Sequence, residues 1–288
     1  MVGMTTQIML LRIRKNTFDL SQQVLIMGVI NVTPDSFSDG GKFSDPQKAL
    51  DHALELQAEG ADILDIGAVS TRPGAAIVSE EEERKRLMPA LERICRTVSV
   101  PVSVDTTSRA IADEALALGA GIINDVSGLK DSPEIAKSVA KHEAGIILMH
   151  RRGNPQSMQS MAEYSNLISE VKSELQESIR IARSFGVKDE SIAIDPGIGF
   201  AKTPAQSLEV LKHLKEFEDM GFPIVVGTSN KSFIGDVLKR EVSERKIGTI
   251  ATCVLAVREG ARILRVHDVK AAKEAAEMTL AIIKQEEK

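Results

Sequence analysis

Short runs of branched apolar residues recur along the chain, and each ends on a polar residue followed by a loop. VLIMGVIN, from Val24, closes on Asn31; ADILDIG, from Ala61, runs into AVSTRPGAA; VPVSVDT carries Asp105. GIINDVSG carries Asn124 and Asp125, AGIILMH ends on Met149 and His150, and IAIDPGIGFAKT turns sharply after Asp195. PIVVGTS leads through Gly227 into Asn230, Lys231 and Ser232, and ARILRVHDV carries Arg265, His267 and Asp268. Runs this short and this rich in Val and Ile suit strands covered on both faces. The stretches between them show helical spacing. Ala112, Ala115, Leu116 and Gly119 share one helical face, and Ala272, Ala275, Ala276, Thr279 and Leu280 share another. Asp45-Pro46 and the glutamates after Ser79 read as helix starts, and a long helix is expected to reach about Phe185.

Eight strand–helix alternations without a linker predict an α/β fold, a (β/α)8 TIM barrel. An open doubly wound sheet is the competing arrangement. Repetition of one right-handed crossover unit favours closure. We expect a single domain over residues 1–288, with residues 1–23 as an N-terminal arm closing the barrel bottom.

Strand tips of a closed barrel face one mouth, so residues remote in sequence would meet there. Asn31, Asp105, Asn124, Asp195, Lys231, Arg265 and His267 form that set. Carboxylates and an amide match a flat heterocycle with a guanidine-like edge. Lys231, Ser232, Arg265 and His267 follow strands seven and eight, the usual phosphate position of these barrels. Ion pairing inside the barrel and a solvated basic rim are the plainer alternatives for these groups. SFSDGG and STRPG, after strands one and two, read as lid loops.

Composition narrows the classes of function. The formal net charge of −5 is spread in mixed sign, without a basic face for nucleic acid or a basic amphipathic membrane helix. With no Trp and one Tyr, stacking platforms for single-stranded nucleic acid are not supported. The two cysteines, Cys95 and Cys253, fall in helical stretches and read as small core residues in a reducing compartment. No span is long and apolar enough to cross a membrane, and the expected location is the cytoplasm. His52, His142 and His213 fall in helical patterns, and no cluster has structural-zinc spacing. A metal here would be hard, held by one or two protein oxygens plus phosphate and water, as magnesium is.

MGVINVTPDSFSDGG, DIGAVSTRPGA, SVDT, INDVSG, LMH, DPGIGFAKT, VGTSNKSFIG and RVHDV stand in this order from Val24 to the last helix. As an ordered set they resemble the dihydropteroate synthase family. That resemblance implies a transferase of folate synthesis that joins dihydropterin hydroxymethyl pyrophosphate to p-aminobenzoate by dissociative substitution. It implies that Asp105, Asn124, Asp195 and Lys231 hold the pterin, with Met149, Phe200 and Gly227 beside it. Asp105, Lys231, Arg265 and His267 would serve catalysis, Arg265 and His267 by holding pyrophosphate, while Asn31 helps hold Mg2+. Phe37, Thr71, Pro73 and Ser232 would form the pocket for p-aminobenzoate or its sulfonamide mimics, and Asp39 and Arg72 would order the lid loops. A homodimer is implied, with the apolar stretch Ile247 to Glu259 as one interface and core packing as its alternative. The chain departs from the family's pattern at Ala68-Val69, commonly Gly-Glu; at Asn230, commonly Arg; at Ala201, usually Gly; and at Arg151, often Met. A related barrel that moves methyl from methyltetrahydrofolate to a corrinoid protein would share the Asp and Asn tips but needs no pyrophosphate site. A catalytically silent pterin-binding barrel is a third possibility, and release of pyrophosphate separates it from the first.

Overall fold

The computed structural model describes residues 9–33, 46–72 and 74–286. A hairpin comes first, β1 (Leu10–Ile13) and β2 (Asn16–Asp19). The parallel strands follow: β3 (Leu25–Asn31), β4 (Ile63–Gly67), β5 (Val102–Asp105), β6 (Ile122–Asp125), β7 (Gly145–Met149), β8 (Ile192–Asp195), β9 (Ile224–Val226) and β10 (Ala261–Val266). They close into a barrel in the order β10-β3-β4-β5-β6-β7-β8-β9. Around it lie α1 (Pro46–Ala58), α2 (Glu80–Thr97), α3 (Arg109–Leu118), α4 (Ile135–Lys141), α5 (Leu167–Ser184), α6 (Pro204–Lys212), α7 (Ser232–Leu238), α8 (Lys246–Arg258) and α9 (Val269–Glu286). The open-sheet alternative is thereby excluded.

Alternation along each strand sorts the apolar residues into two layers. Ile26, Leu64, Ile66, Val104, Ile123, Ile146, Ile194 and Val226 belong to the outer cluster, packed against the helices. Leu25, Met27, Ile63, Ile122, Ile147, Ala193, Val225 and Ile263 form a separate inner cluster that fills the lower barrel. The hairpin completes this inner layer with Leu11, Ile13 and Leu20. A Cβ on Gly121, at the foot of β6, would lie 2.9 Å from Ile13 Cγ2, so the close approach of hairpin and barrel requires glycine there. Arg14 turns the hairpin with φ 53° and donates to the Leu116 and Ala120 carbonyls at the end of α3. Ile13→Ala is expected to cost about 2–4 kcal/mol by leaving a cavity under the barrel. Chemical denaturation measures this, and an unchanged midpoint would contradict the plug.

Helix ends follow local chemistry. Ser79 caps α2 by accepting the Glu82 N–H, with Glu80 to Glu83 in the first turn. Thr203 and Gln206 form a capping box before α6, which has Pro204 at its start. Gly119 differs from its expected place on the packed face of α3. It ends the helix at φ 117°, a conformation in which glycine avoids the Cβ penalty. Cys95 and Cys253 are free thiols. Among the described residues no helix is long and apolar enough to cross a membrane.

Candidate active site

The inward positions that are apolar at the barrel bottom turn polar toward its C-terminal end. Ile63 is followed two residues on by Asp65, Ile122 by Asn124, Ala193 by Asp195, and Ile263 by Arg265. Ser103 and Asp105 continue the same face of β5, while Met149 and Gly227 extend those of β7 and β9. Asp65, Asp105, Asn124 and Asp195 are all buried. Period-two alternation therefore gathers buried polar groups on an apolar floor, where they need partners.

Arg265 supplies one. Its Nε donates to Asp65 Oδ2 at 2.6 Å and its Nη2 to Asp105 Oδ2 at 3.1 Å. The Asn124 amide also donates to Asp65 Oδ2, at 3.2 Å. Asp65 is thus the centre of the cluster, although it lies two residues below a strand end and escapes a reading confined to tips. Its signal in the sequence is a carboxylate inside the otherwise apolar run ILDIG. Burial raises the Asp105 pKa to about 7; the Arg265 charge pulls it down, and Asp65 pushes it up again.

Asp195 is held from the other side. Burial raises its pKa, opposed first by the Lys231 charge and then by the Gly197 N–H, which donates to Oδ1 at 2.7 Å. Lys231 precedes α7, donates to the Ile198 carbonyl, and places its Nζ 4.7 Å from the centre of the Phe200 ring. Burial lowers its pKa to about 8, opposed by Asp195. The polar groups predicted to converge from β5, β6, β8 and the end of β9 therefore share one mouth.

The loop from Pro196 to Ala201 rests on a second buried network. Lys202 Nζ donates to the carbonyls of Gly197 at 3.0 Å and Phe200 at 3.2 Å and meets His150 Nδ1 at 2.9 Å. His150 is 1% exposed, with Nε2 3.3 Å from Glu174, which pairs with Lys130 and Arg152. Desolvation, with the Lys202 charge, pushes His150 down to about 3, so it is neutral, accepting at Nδ1 and protonated at Nε2. His150 stands at a strand tip but supports the loop from behind.

His267 is exposed at the rim, where Nδ1 lies 2.9 Å from Ser229 Oγ and the His267 backbone N–H donates to the same oxygen. Ser229 Oγ thus holds the ring in place from two sides, through the backbone N–H and Nδ1. The imidazole pKa is lowered, first by partial desolvation against the barrel mouth and then by the Arg265 and Arg72 charges. His267 is accordingly neutral near pH 7, and the cationic charge of the entrance belongs to Arg265, Arg72 and Lys231. Ser229 is a further residue the sequence reading passed over. Thr71 is half-buried, and Arg72 and Ser232 are exposed. Phe37, Asp39 and Pro73 lie outside the described residues.

Each departure from the family pattern has a local setting. Ala201 adopts φ 46°, the conformation that suits the usual glycine, and its carbonyl accepts from Tyr164 Oη. Asn230 adopts φ 59°, which asparagine tolerates better than most residues. Arg151 is buried and paired with Asp131 at 2.6 Å. Ala68 is buried and Val69 beside it half-buried at the tip of β4.

Asn31, half-buried at the end of β3, offers one neutral amide oxygen. Among the described residues no group of three or more His, Cys, Asp or Glu side chains could hold a metal ion unaided. That donor set fits a hard divalent ion completed by a diphosphate and water.

The family model described as "Pterin binding enzyme" matches residues 27–267. A dihydropteroate synthase of Synechocystis is 46% identical over 91% of this chain and 91% of that protein. A crystal structure of the Clostridium difficile dihydropteroate synthase, solved with pteroic acid, superposes with a TM-score of 0.87 at 43% identity, covering 92% of this chain and 98% of that one. The Xanthomonas albilineans dihydropteroate synthase with 4-aminobenzoic acid gives 0.88 at 39% identity, over 96% and 98%. The chain belongs to the pterin-binding enzyme family and, within it, to the dihydropteroate synthases.

Proposed function

We propose that the barrel mouth condenses 6-hydroxymethyl-7,8-dihydropterin pyrophosphate with p-aminobenzoate, giving 7,8-dihydropteroate and pyrophosphate. The observation that carries this reading is the convergence of Asp105, Asn124 and Asp195 with Arg265 and Lys231 on one apolar floor. Asp195 and Asn124 hold the amino-pyrimidine edge of the pterin, Lys231 donates to its carbonyl side, and Met149 and Phe200 pack beside the ring. Gly227 leaves room where a side chain would stand. A pocket built on hydrogen bonds rejects a ring that cannot make them, because its buried polar groups would stay unpaired.

Arg265 and His267 receive the pyrophosphate, and Asn31 would supply one protein oxygen to a Mg2+ ion. When bound, the ion neutralises charge on the leaving group. The C–O bond to the pterin methylene breaks, and its electrons depart with pyrophosphate. Ionised Asp105 stabilises the positive charge left on the pterin. The amine of p-aminobenzoate, held by Thr71, Ser232, Phe37 and Pro73, forms the C–N bond and releases its extra proton to water. Arg72 and Asp39 order the loops over it. The chain acts in the cytoplasm as a homodimer joined through α8, whose Ile247, Val254 and Leu255 are exposed. Sedimentation of an Ile247→Glu variant tests that face, and a monomer is the expected result.

Condensation of radiolabelled p-aminobenzoate should release pyrophosphate in step with labelled product. EDTA should suppress the reaction and Mg2+ restore it. A protein that binds pterin but forms no product under either condition would contradict the reading.

A further inference from the structure

Arg265 has two parts to play, as the ion partner of buried carboxylates and, in the proposed reaction, as a receiver of pyrophosphate. In this structure the guanidinium faces inward. Nη2 lies on Asp105, a group assigned here to the pterin, while Nε lies on Asp65, which the reaction does not otherwise use. We infer that Asp65 is a positioning residue: it anchors Nε permanently, while Nη2 exchanges from Asp105 to the substrate's pyrophosphate as the pterin enters. The inference rests on the reading of the site as one for a pterin pyrophosphate.

Three observations support an unequal division of the guanidinium. The contact to Asp65 is the shorter by half an ångström, 2.6 against 3.1 Å. Asp65 is fully buried, so loss of its partner would leave a carboxylate without solvent, whereas Asp105 borders the space the pterin enters. Asp65 also has acceptor capacity in reserve, since Oδ1 is buried and has no hydrogen-bond partner among the described residues. Ser103, its register neighbour on β5, likewise has a buried hydroxyl without one. The charges agree with such an exchange. Before substrate enters, one guanidinium bridges both carboxylates, so its single positive charge is shared between them. Afterwards Asp105 faces the pterin with its charge unshared, and the arginine keeps Asp65 as its ion partner, so the forked head turns without losing its anchor. The Asn124 amide, donating to the same Oδ2, fixes the rotamer of Asp65 and ties the anchor to the pterin floor.

The test is calorimetric binding of two ligands, the dihydropterin pyrophosphate and 6-hydroxymethyl-7,8-dihydropterin without the pyrophosphate. The proteins are the wild type, Asp65→Asn, Arg265→Gln and the double variant. For Asp65→Asn, affinity for the pyrophosphate ligand should fall about tenfold or more while affinity for the bare pterin changes less than about threefold, the scale of a lost charge-assisted hydrogen bond. In the Arg265→Gln background, Asp65→Asn should change neither. Equal losses on both ligands, or a further loss in the double variant beyond Arg265→Gln, would overturn the inference. Should Asp65→Asn alone not fold, the comparison of Arg265→Gln with the double variant, which removes both members of the Asp65–Arg265 pair, decides it. Wild-type protein that binds neither pterin would instead overturn the reading of the site.

Discussion

Asp105→Asn should lower kcat by about 10²–10³-fold, the scale of losing one preorganised electrostatic group, and weaken pterin binding far less. Asparagine keeps the shape and an acceptor oxygen, so ground-state contacts survive. What disappears is a negative charge, and the charge matters when the methylene becomes cationic. Equal losses in turnover and binding would remove the electrostatic role. The pH profile gives a second reading. Ionised Asp105 is the working form, so wild-type activity should fall as pH drops through about 7, and this limb should be absent from the asparagine variant. Stability runs the opposite way. The folded pKa of about 7 stands above the ordinary 3.8, so the folded state holds the proton that the unfolded chain releases. Stability should therefore decline as pH rises between about 4 and 7, and Asp105→Asn should flatten that decline.

The second large effect is mechanical. Gly197 has φ 69°, and a Cβ there would lie 1.9 Å from the His150 carbonyl oxygen, a backbone atom that cannot rotate away. Gly197→Ala is expected to cost about 2–5 kcal/mol, combining left-handed backbone with overpacking. At about 2–4 °C per kcal/mol for a large domain, melting should fall by about 5–15 °C. Pterin affinity should fall with it, because the Gly197 N–H donates to Asp195 and the following loop carries Phe200. A variant melting within about 2 °C of wild type would refute this. Ala201 is the useful contrast, since it is also left-handed yet accommodates its methyl group.

The barrel was legible because Val- and Ile-rich runs repeat eight times and mark strands buried on both sides. The mouth was legible because polar residues at strand ends have one place to go in such a fold. Asp65 was harder to see. Its partner Arg265 is 200 positions away, and neither residue's spacing reveals the pair. His150 shows the converse limit: tip position fixes height along the barrel but not the side to which a ring turns. The Lys202–His150–Glu174 network needs β7, α5 and the loop after β8 to meet, information carried only by packing. Asp125 shows the same limit. It neighbours Asn124 but points outward, accepting from Ser127 and Leu129 to shape a turn.

The seam of the barrel lies between β10 and β3, the last strand made and the first. A ribosome therefore delivers Leu11, Ile13 and Leu20 long before the cylinder they stopper exists. Until Ile263 emerges, those side chains have no finished cavity to enter, and the growing chain carries an apolar hairpin in search of cover. Synthesis of this protein should accordingly be most dependent on chaperones late in elongation, and a circular permutant opened between β2 and β3 should shift that dependence.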